Sequence, residues 1–207
     1  MEILAYGEDA LTLWALQNKL PDFLRHFGDV SLKDDCKVLF RPSFGRRGGD
    51  ESAQFGEFDF ILLSPACIYL GESKWDRSSE VGRNGLITLR SEQELRHTLF
   101  RAYVEEWFAG QYSTWDAFRP HAQAGLIARN IAKPVPSAER TLALNLKSVL
   151  EFIRQQYADL PAIKDVLLYM HKGQLNDPPP QVSPATFCFF PVEYTPYPND
   201  QFIRINL

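Results

Sequence analysis

Two apolar runs, FDFILL at residues 58–63 and CIYL at residues 67–70, constrain the fold of this chain more than any other feature. Only the tripeptide SPA separates them, and its proline favours a turn, so we predict a β-hairpin. Both runs are apolar on both of their faces, which is typical of strands in a sheet that is covered on both sides.

Four polar side chains are expected to converge at the open end of this hairpin. The predicted register places Asp59 opposite Glu72 and Glu57 opposite Lys74, with opposed Cβ atoms about 4.5–5.5 Å apart. A buried carboxylate is costly unless it is paired or binds a cation, and carboxylate oxygens are ligands that Mg²⁺ and Mn²⁺ prefer. Asp59 and Glu72 are therefore candidate metal ligands, with the Lys74 ammonium placed to orient a water or to stabilise developing charge. The alternative is a cross-strand ion-pair cluster without a metal.

These residues carry a resemblance to a known family. Asp59, twelve intervening residues and then Glu72-Ser73-Lys74 resemble the motif of the PD-(D/E)xK, or restriction-endonuclease-like, nuclease superfamily. The stretch GEFD at residues 56–59 is similar to the GExD of its Holliday-junction-resolvase-like and Mrr-like branches. The sequence departs from the name-giving pattern at Phe58, where the family often has proline.

The resemblance implies a role for each matching position. Asp59 and Glu72 would bind Mg²⁺ or Mn²⁺, the backbone carbonyl of Ser73 would be a further ligand, and Lys74 would be the catalytic lysine. It also implies a restriction-endonuclease-like core, nucleic acid as the partner, DNA rather than RNA, and a homodimer that cuts both strands. Glu57 would bind a second ion or tune Lys74.

Composition sets wider limits. The 207 residues, 45% of them hydrophobic, are enough for one domain with a sizeable core. We expect a single domain over residues 1–207, with a nuclease-like core at about 1–110 and a part at 111–207 that completes the sheet. The net charge of −4 argues against a broad basic coat for nucleic acid.

Nothing in the sequence predicts a membrane segment or a disulfide framework. No apolar run is long enough to span a bilayer, and the first residues, MEILAYGED, have no basic n-region typical of a signal peptide. The three cysteines are scattered, which favours neither a zinc site nor disulfides. These features lead us to expect a cytoplasmic protein without membrane contact.

Basic residues flank the predicted hairpin in two loops. Arg46 and Arg47 lie in the RPSFGRRGG segment before it, and Arg77 follows it. Two interpretations stay open, a clamp for the nucleic-acid backbone or solvated loop charges. Gln93, near the start of the next helix, is a further candidate for substrate binding by the same resemblance.

Helical and strand patterns alternate along the chain, which indicates α/β architecture. We expect a mixed β-sheet flanked by helices on both faces. The predicted helices cover residues 9–27, 91–108 and 139–157, and the predicted strands outside the hairpin cover residues 36–44, 166–171, 187–194 and 202–207.

Two of the predicted helices carry polar residues that bear on the site. Glu8 precedes the first helix, where it either pairs with the helix dipole or supplies an additional acid to the site. Ser91 and Glu94 form a predicted capping box at the start of the helix 91–108. Arg96 and His97, in the first turns of the same helix, are expected on its exposed face.

The function predicted from these patterns is Mg²⁺-dependent hydrolysis of phosphodiester bonds, in DNA. The alternative is a catalytically inactive module that keeps the nuclease fold and binds nucleic acid or protein. Geometry discriminates between the two, because an active site needs the carboxylates of Asp59 and Glu72 within reach of one ion, whereas an inactive module can have them closed off by ion pairs.

Overall fold

The computed structural model describes residues 2–44, 55–82, 86–175, 180–196 and 202–206. Their helices are α1 Glu8–Asn18, α2 Leu20–His26, α3 Ser91–Ala109, α4 Trp115–Ala128 and α5 Thr141–Gln156, with a short 3₁₀ turn at Lys33–Asp35. Their strands are β1 Glu2–Ala5, β2 Lys37–Phe40, β3 Phe60–Leu63, β4 Cys67–Trp75, β5 Leu86–Thr88, β6 Ala162–His171, β7 Gln181–Ser183, β8 Cys188–Glu193 and β9 Ile203–Asn206.

A mixed five-stranded sheet forms the centre of the fold, in the order β2-β3-β4-β6-β8. Strands β2, β3 and β4 are antiparallel neighbours, whereas β4, β6 and β8 run parallel. Two small ribbons lie outside this sheet, the antiparallel pair β1–β9 and the parallel pair β5–β7. Pro191 lies in β8, an edge strand, where the missing N–H of proline is tolerated. The predicted α/β class with a mixed sheet is confirmed.

Helices cover both faces of this sheet. Ile61 and Leu70 lie on the face that packs against α3, α4 and α5. Phe60 and Tyr69 lie on the opposite face, which packs against α1 and α2. Because side chains alternate along a strand, one apolar hairpin supplies both cores, as its two-sided apolar pattern predicts.

The predicted hairpin register is confirmed within the strands and interrupted at their open end. Phe60 pairs with Gly71 and Leu63 with Ile68, as expected. The N–H of Asp59, however, also donates to the carbonyl of Gly71, so two residues of one strand lie opposite one residue of the other. This is the pattern of a β-bulge.

The bulge changes where Glu57 lies. The bulge lies opposite Gly71, where the Phe60 ring lies against the backbone of β4. Only glycine leaves room for this ring, because a Cβ on Gly71 would come within 2.2 Å of it. Glu57 forms an isolated bridge with Ser43 and does not pair with Lys74, because the extra residue shifts the chain before Asp59. The predicted Glu57–Lys74 pairing is therefore wrong.

Other differences have equally local causes. The helix predicted at residues 9–27 is two helices that meet at Lys19, because Pro21 has no N–H for the carbonyl of Gln17, which instead accepts from Lys33 Nζ at 2.6 Å. The N-cap of α3 is Arg90 rather than Ser91, and its N–H donates to Gln93 Oε1 at 3.0 Å. Strands β1, β5 and β7 and helix α4 were not predicted.

None of the helices in the described part of the chain combines the length and apolarity that crossing a membrane requires.

Candidate active site

Four elements meet at the carboxyl end of β4. Strand β4 carries Glu72 and Lys74, which are 1% and 5% exposed, and Asp59 lies at the bulge that precedes β3. The first turn of α3 contributes Gln93, and α1 begins with Glu8. Residues that lie far apart in the sequence are therefore assembled at one end of the central sheet.

Glu72 receives hydrogen bonds from three side chains of α3. Gln93 Nε2 donates to Oε2 at 2.6 Å, and Arg96 Nη2 and His97 Nε2 both contact Oε1, the latter at 3.1 Å. These three residues are separated by three and one positions, so they lie on one helix face. The expectation that Arg96 and His97 lie on an exposed face is wrong, since both are buried.

A second layer of charge supports His97. Its Nδ1 lies 2.9 Å from Asp165 Oδ1, and Arg101 Nη2 donates to the other oxygen of Asp165 at 2.6 Å. Asp165 belongs to β6, the strand beside β4. The imidazole is thus held between two carboxylates, Glu72 and Asp165, and Glu72, Arg96 and His97 are buried.

The pKa values follow from these contacts. Burial alone would raise the pKa of Glu72, but the hydrogen bond from His97 and the charge of Arg96 outweigh it and lower the pKa. Burial alone would lower the pKa of His97, and its hydrogen bonds to Asp165 and Glu72 reverse this and raise it. An ionised Glu72 beside a protonated imidazole is therefore the favoured state of this pair.

Asp59 has a different environment. Its Oδ2 accepts from the backbone N–H of Ser73 at 2.7 Å, and no other described residue donates a hydrogen bond to its side chain. Burial and the charge of Glu72 raise its pKa to about 7, and the ammonium of Lys74 counters only part of this. Asp59 is thus the carboxylate of the site that lacks a cation of its own.

Lys74 and Glu8 form the remaining side of the site. Lys74 Nζ lies 3.7 Å from Glu8 Oε1, and Glu8 Oε2 accepts from the N–H of Trp75 at 3.2 Å and from the hydroxyl of Ser78. Glu8 therefore does more than pair with the dipole of α1, because it also fixes the end of β4. Its charge contributes to the raised pKa of Asp59.

The other predicted site residues are distributed unevenly. Glu57 Oε2 pairs with Arg41 Nη2 at 2.8 Å, on the side of Asp59 away from β4. Arg77 is exposed, and its guanidinium lies 5.6 Å from the centre of the Trp75 ring. Arg46 and Arg47 lie outside the described residues.

Sequence reasoning missed the partners of Glu72. The spacing of Gln93, Arg96 and His97 is a signal for one polar helix face, but it does not say that this face turns inward. Asp165 interrupts the apolar strand β6 with a charge, which is costly unless it is paired. That cost is the signal that could have marked it as part of a buried network.

The carboxylate oxygens of Asp59 and Glu72 are of the type that suits a hard divalent cation. Oε1 of Glu72 already has two donors, so Oε2 and the carboxylate of Asp59 supply the available lone pairs. Carboxylate oxygens of this kind fit Mg²⁺, which retains several waters and needs few protein ligands. In the described ranges, no three His, Cys, Asp or Glu residues are grouped closely enough to hold a metal by themselves.

Comparisons with family models, with curated proteins and with solved structures give no match to this chain. The resemblance to PD-(D/E)xK nucleases therefore depends on the spacing of Asp59, Glu72 and Lys74 in the sequence.

Proposed function

We propose that this chain is a Mg²⁺-dependent nuclease that hydrolyses phosphodiester bonds in DNA, with a restriction-endonuclease-like core. One observation carries the proposal. Asp59 Oδ2 accepts a hydrogen bond of 2.7 Å from the backbone N–H of Ser73, the residue between Glu72 and Lys74 at the end of β4. Two carboxylates and a lysine at one strand end are the groups that metal-assisted attack of water on a phosphodiester requires.

Each residue has a chemical task under this proposal. Asp59 and Oε2 of Glu72 would hold the ion, which when bound lowers the pKa of a water ligand and stabilises charge on the phosphate. Lys74 would donate a hydrogen bond to the attacking water or to a phosphate oxygen, and Glu8 would hold the ammonium in position. Gln93 would orient Glu72 through their 2.6 Å hydrogen bond.

The partners of Glu72 make this geometry rigid. Arg96 and His97 fix Oε1 of Glu72, and Asp165 fixes the imidazole in turn. Residues that hold a metal ligand in one orientation increase both metal affinity and activity. The arrangement is therefore consistent with a preorganised metal site in which the carboxylate of Asp59 is available to bind the ion.

A second candidate function is favoured by a specific observation. The charge of Glu72 is already balanced by Arg96 and His97, and that of Lys74 by Glu8. Internal ion pairs of this kind also suit a nuclease-fold module that no longer cleaves and that binds nucleic acid or protein. Asp59, whose side chain accepts only the hydrogen bond from the N–H of Ser73 among the described residues, favours the active nuclease over this module.

A cleavage assay tests the proposal. Single-stranded, duplex and branched DNA and RNA are incubated with Mg²⁺, with Mn²⁺ or with a chelator, using the wild type, Asp59→Asn and Lys74→Met. We expect metal-dependent cutting of DNA that falls by about 10²–10⁴-fold in Lys74→Met and is abolished in Asp59→Asn.

Lys147→Met provides the matched control. Lys147 lies on α5 and pairs there with Glu151 at 3.4 Å, so this variant loses a lysine without touching the site and should cut at the wild-type rate. Cutting that is equal in all variants would contradict the proposed site. No cutting of any substrate by the wild type would favour the binding module.

A further inference from the structure

Three aromatic side chains form a cluster beside the candidate active site. The ring of Tyr6 lies 5.7 Å from that of Trp75 and 6.4 Å from that of Phe202, with edge-to-face geometry in both pairs. Tyr6 is 57% exposed and Phe202 is 40% exposed. Since an edge-to-face pair leaves ring faces uncovered, this cluster presents aromatic surface to solvent.

The cluster is continuous with the site. Trp75 follows Lys74 in β4, and its N–H donates to Glu8, the residue that pairs with Lys74. Tyr6 lies two residues before Glu8 in the sequence. Consecutive residues of a strand point to opposite faces of the sheet, so a strand of nucleotides on the aromatic cluster reaches Lys74 around the end of β4, past Glu8, which contacts both residues.

A positive charge accompanies the aromatic rings. The guanidinium of Arg77, which is exposed, lies over the Trp75 ring at 5.6 Å from its centre. An arginine next to a ring can pair with a phosphate while the ring stacks on the base of the same nucleotide. Aromatic surface and positive charge together complement a nucleotide strand better than they complement an apolar peptide.

The space between the rings is too small to take a base. The cavity lined by Tyr6, Trp75 and Phe202 has a volume of about 10 Å³, which is close to that of one water probe. A base could therefore stack only on the outer surfaces of these rings. Such stacking needs a base whose face is free, and the bases inside a duplex cover one another.

We propose that Tyr6, Trp75 and Phe202, with Arg77, form a stacking platform for unpaired bases, so that the site acts on single-stranded DNA. This inference deepens the proposed function and rests on it for the assignment of the cleaved substrate. Stacking on aromatic side chains is tolerant of sequence, because every base has a π face. The platform thus selects an unpaired strand rather than a particular sequence.

A purely structural role for the rings makes a different prediction. In that case the cluster only packs the β1–β9 ribbon against α1 and β4. Its loss would then change stability by the same amount with single-stranded DNA, with duplex DNA and without DNA. It would not distinguish single-stranded from duplex DNA. The preference for unpaired strands is therefore the property to measure.

Binding of a dye-labelled oligothymidylate and of a blunt duplex is measured by fluorescence anisotropy in a chelating buffer, with Asp59→Asn as the parent to prevent cleavage. The variants are Tyr6→Leu, which keeps an apolar side chain without a ring, and Tyr6→Phe, which keeps the ring. Ile127→Ala, which removes an apolar side chain that is 64% exposed on α4, is the control. Unfolding in urea is recorded for each protein.

We expect Tyr6→Leu to weaken binding of the single strand about tenfold, while Tyr6→Phe and Ile127→Ala keep the affinity of the parent and duplex binding does not change. An unchanged affinity in Tyr6→Leu, equal binding of duplex and single strand, or no binding of the single strand by the parent would overturn the platform. Because this assay needs neither metal nor cleavage, its outcome is independent of the cleavage assay. A chain that cuts DNA but is insensitive to Tyr6 retains the proposed function and loses the platform.

Discussion

Glu72 and Asp59 lie at the same end of the central sheet, on neighbouring strands, and their pKa values move in opposite directions. Glu72 contacts Gln93, Arg96 and His97, and His97 and Arg96 lower its pKa despite burial. Asp59 accepts one backbone hydrogen bond, and burial with the charge of Glu72 raises its pKa to about 7. The protein therefore supplies its own cations to one carboxylate and leaves the other without one.

This difference suggests two roles under the proposed function: the residues around Glu72 hold the site in place, and Asp59 takes part in binding the cation. We call the side formed by Arg96, His97 and Asp165 closed, because these residues and Glu72 pair with one another. We call the side formed by Asp59, Lys74 and Glu8 open, because under the proposed function a cation from solution would relieve the repulsion between the carboxylates of Asp59 and Glu72. Substitutions on the closed side should act mainly on stability, substitutions on the open side on metal binding and cleavage, and substitution of Glu72, which belongs to both sides, on all three.

The largest effect on stability is expected from Glu72→Gln. The change removes the negative charge that Arg96 and His97 face, and breaking a buried pair from one side costs about 3–5 kcal/mol. Unfolding in urea measures this loss, and Glu94→Gln on the same helix serves as the control, with an expected change within about 0.5 kcal/mol. A loss below about 1 kcal/mol would show that the closed side does not depend on its charges.

A smaller loss is expected from Asp165→Asn, which keeps the shape but weakens the contacts to His97 and Arg101. Loss of a charged hydrogen-bond partner in a buried network costs about 1–3 kcal/mol. Asp159→Asn, at an exposed position, is the matched control in the same urea experiment. If both variants unfold at the same urea concentration, the contacts of Asp165 with His97 and Arg101 contribute nothing to the free energy of unfolding.

On the open side, substitution of Asp59 should increase stability rather than decrease it. The effect should be visible in the pH dependence of the free energy of unfolding, measured without divalent ions. The folded pKa of Asp59 lies above its ordinary value of 3.8, so the folded state binds the proton more tightly and stability falls as pH rises from about 4 to about 7. Asp59→Asn removes this loss and should raise the free energy of unfolding at pH 8 by more than about 1 kcal/mol, because each unit of pKa shift corresponds to about 1.4 kcal/mol.

The difference between the two unfolding profiles isolates Asp59, because every other group titrates in both proteins. A difference that does not change between pH 4 and pH 8 would contradict the raised pKa.

The smallest effect on stability is expected from Glu8→Gln. The amide oxygen can still accept from the Trp75 N–H and from Ser78, so only the partly exposed ion pair with Lys74 is lost. Such pairs contribute about 0–1 kcal/mol, and added salt should reduce the difference further. A loss as large as that of Glu72→Gln would place Glu8 on the closed side.

The sequence predicts the parts of this site that depend on local patterns. The short turn between the two apolar runs establishes the register from Phe60 to Gly71. The spacing of Leu99, Tyr103 and Trp107 is that of one buried face of α3.

The parts that depend on tertiary contacts were not predictable in this way. The bulge at Asp59 arises where Phe60 packs on Gly71, and a lone glycine in a strand is only a weak indication of it. The partners of Glu72 come from α3, and Asp165 comes from a strand that joins the sheet much later in the chain. No local pattern records that these elements meet.

Calorimetric titration with Mn²⁺ tests the division between the two sides most directly. We expect one binding event in the wild type, at least about tenfold weaker binding in Asp59→Asn, and undiminished binding in Lys74→Met, since the lysine holds no metal. Absence of Mn²⁺ binding to the wild type, or equal binding by Asp59→Asn, would contradict the assignment of Asp59 as the carboxylate that takes a cation from solution.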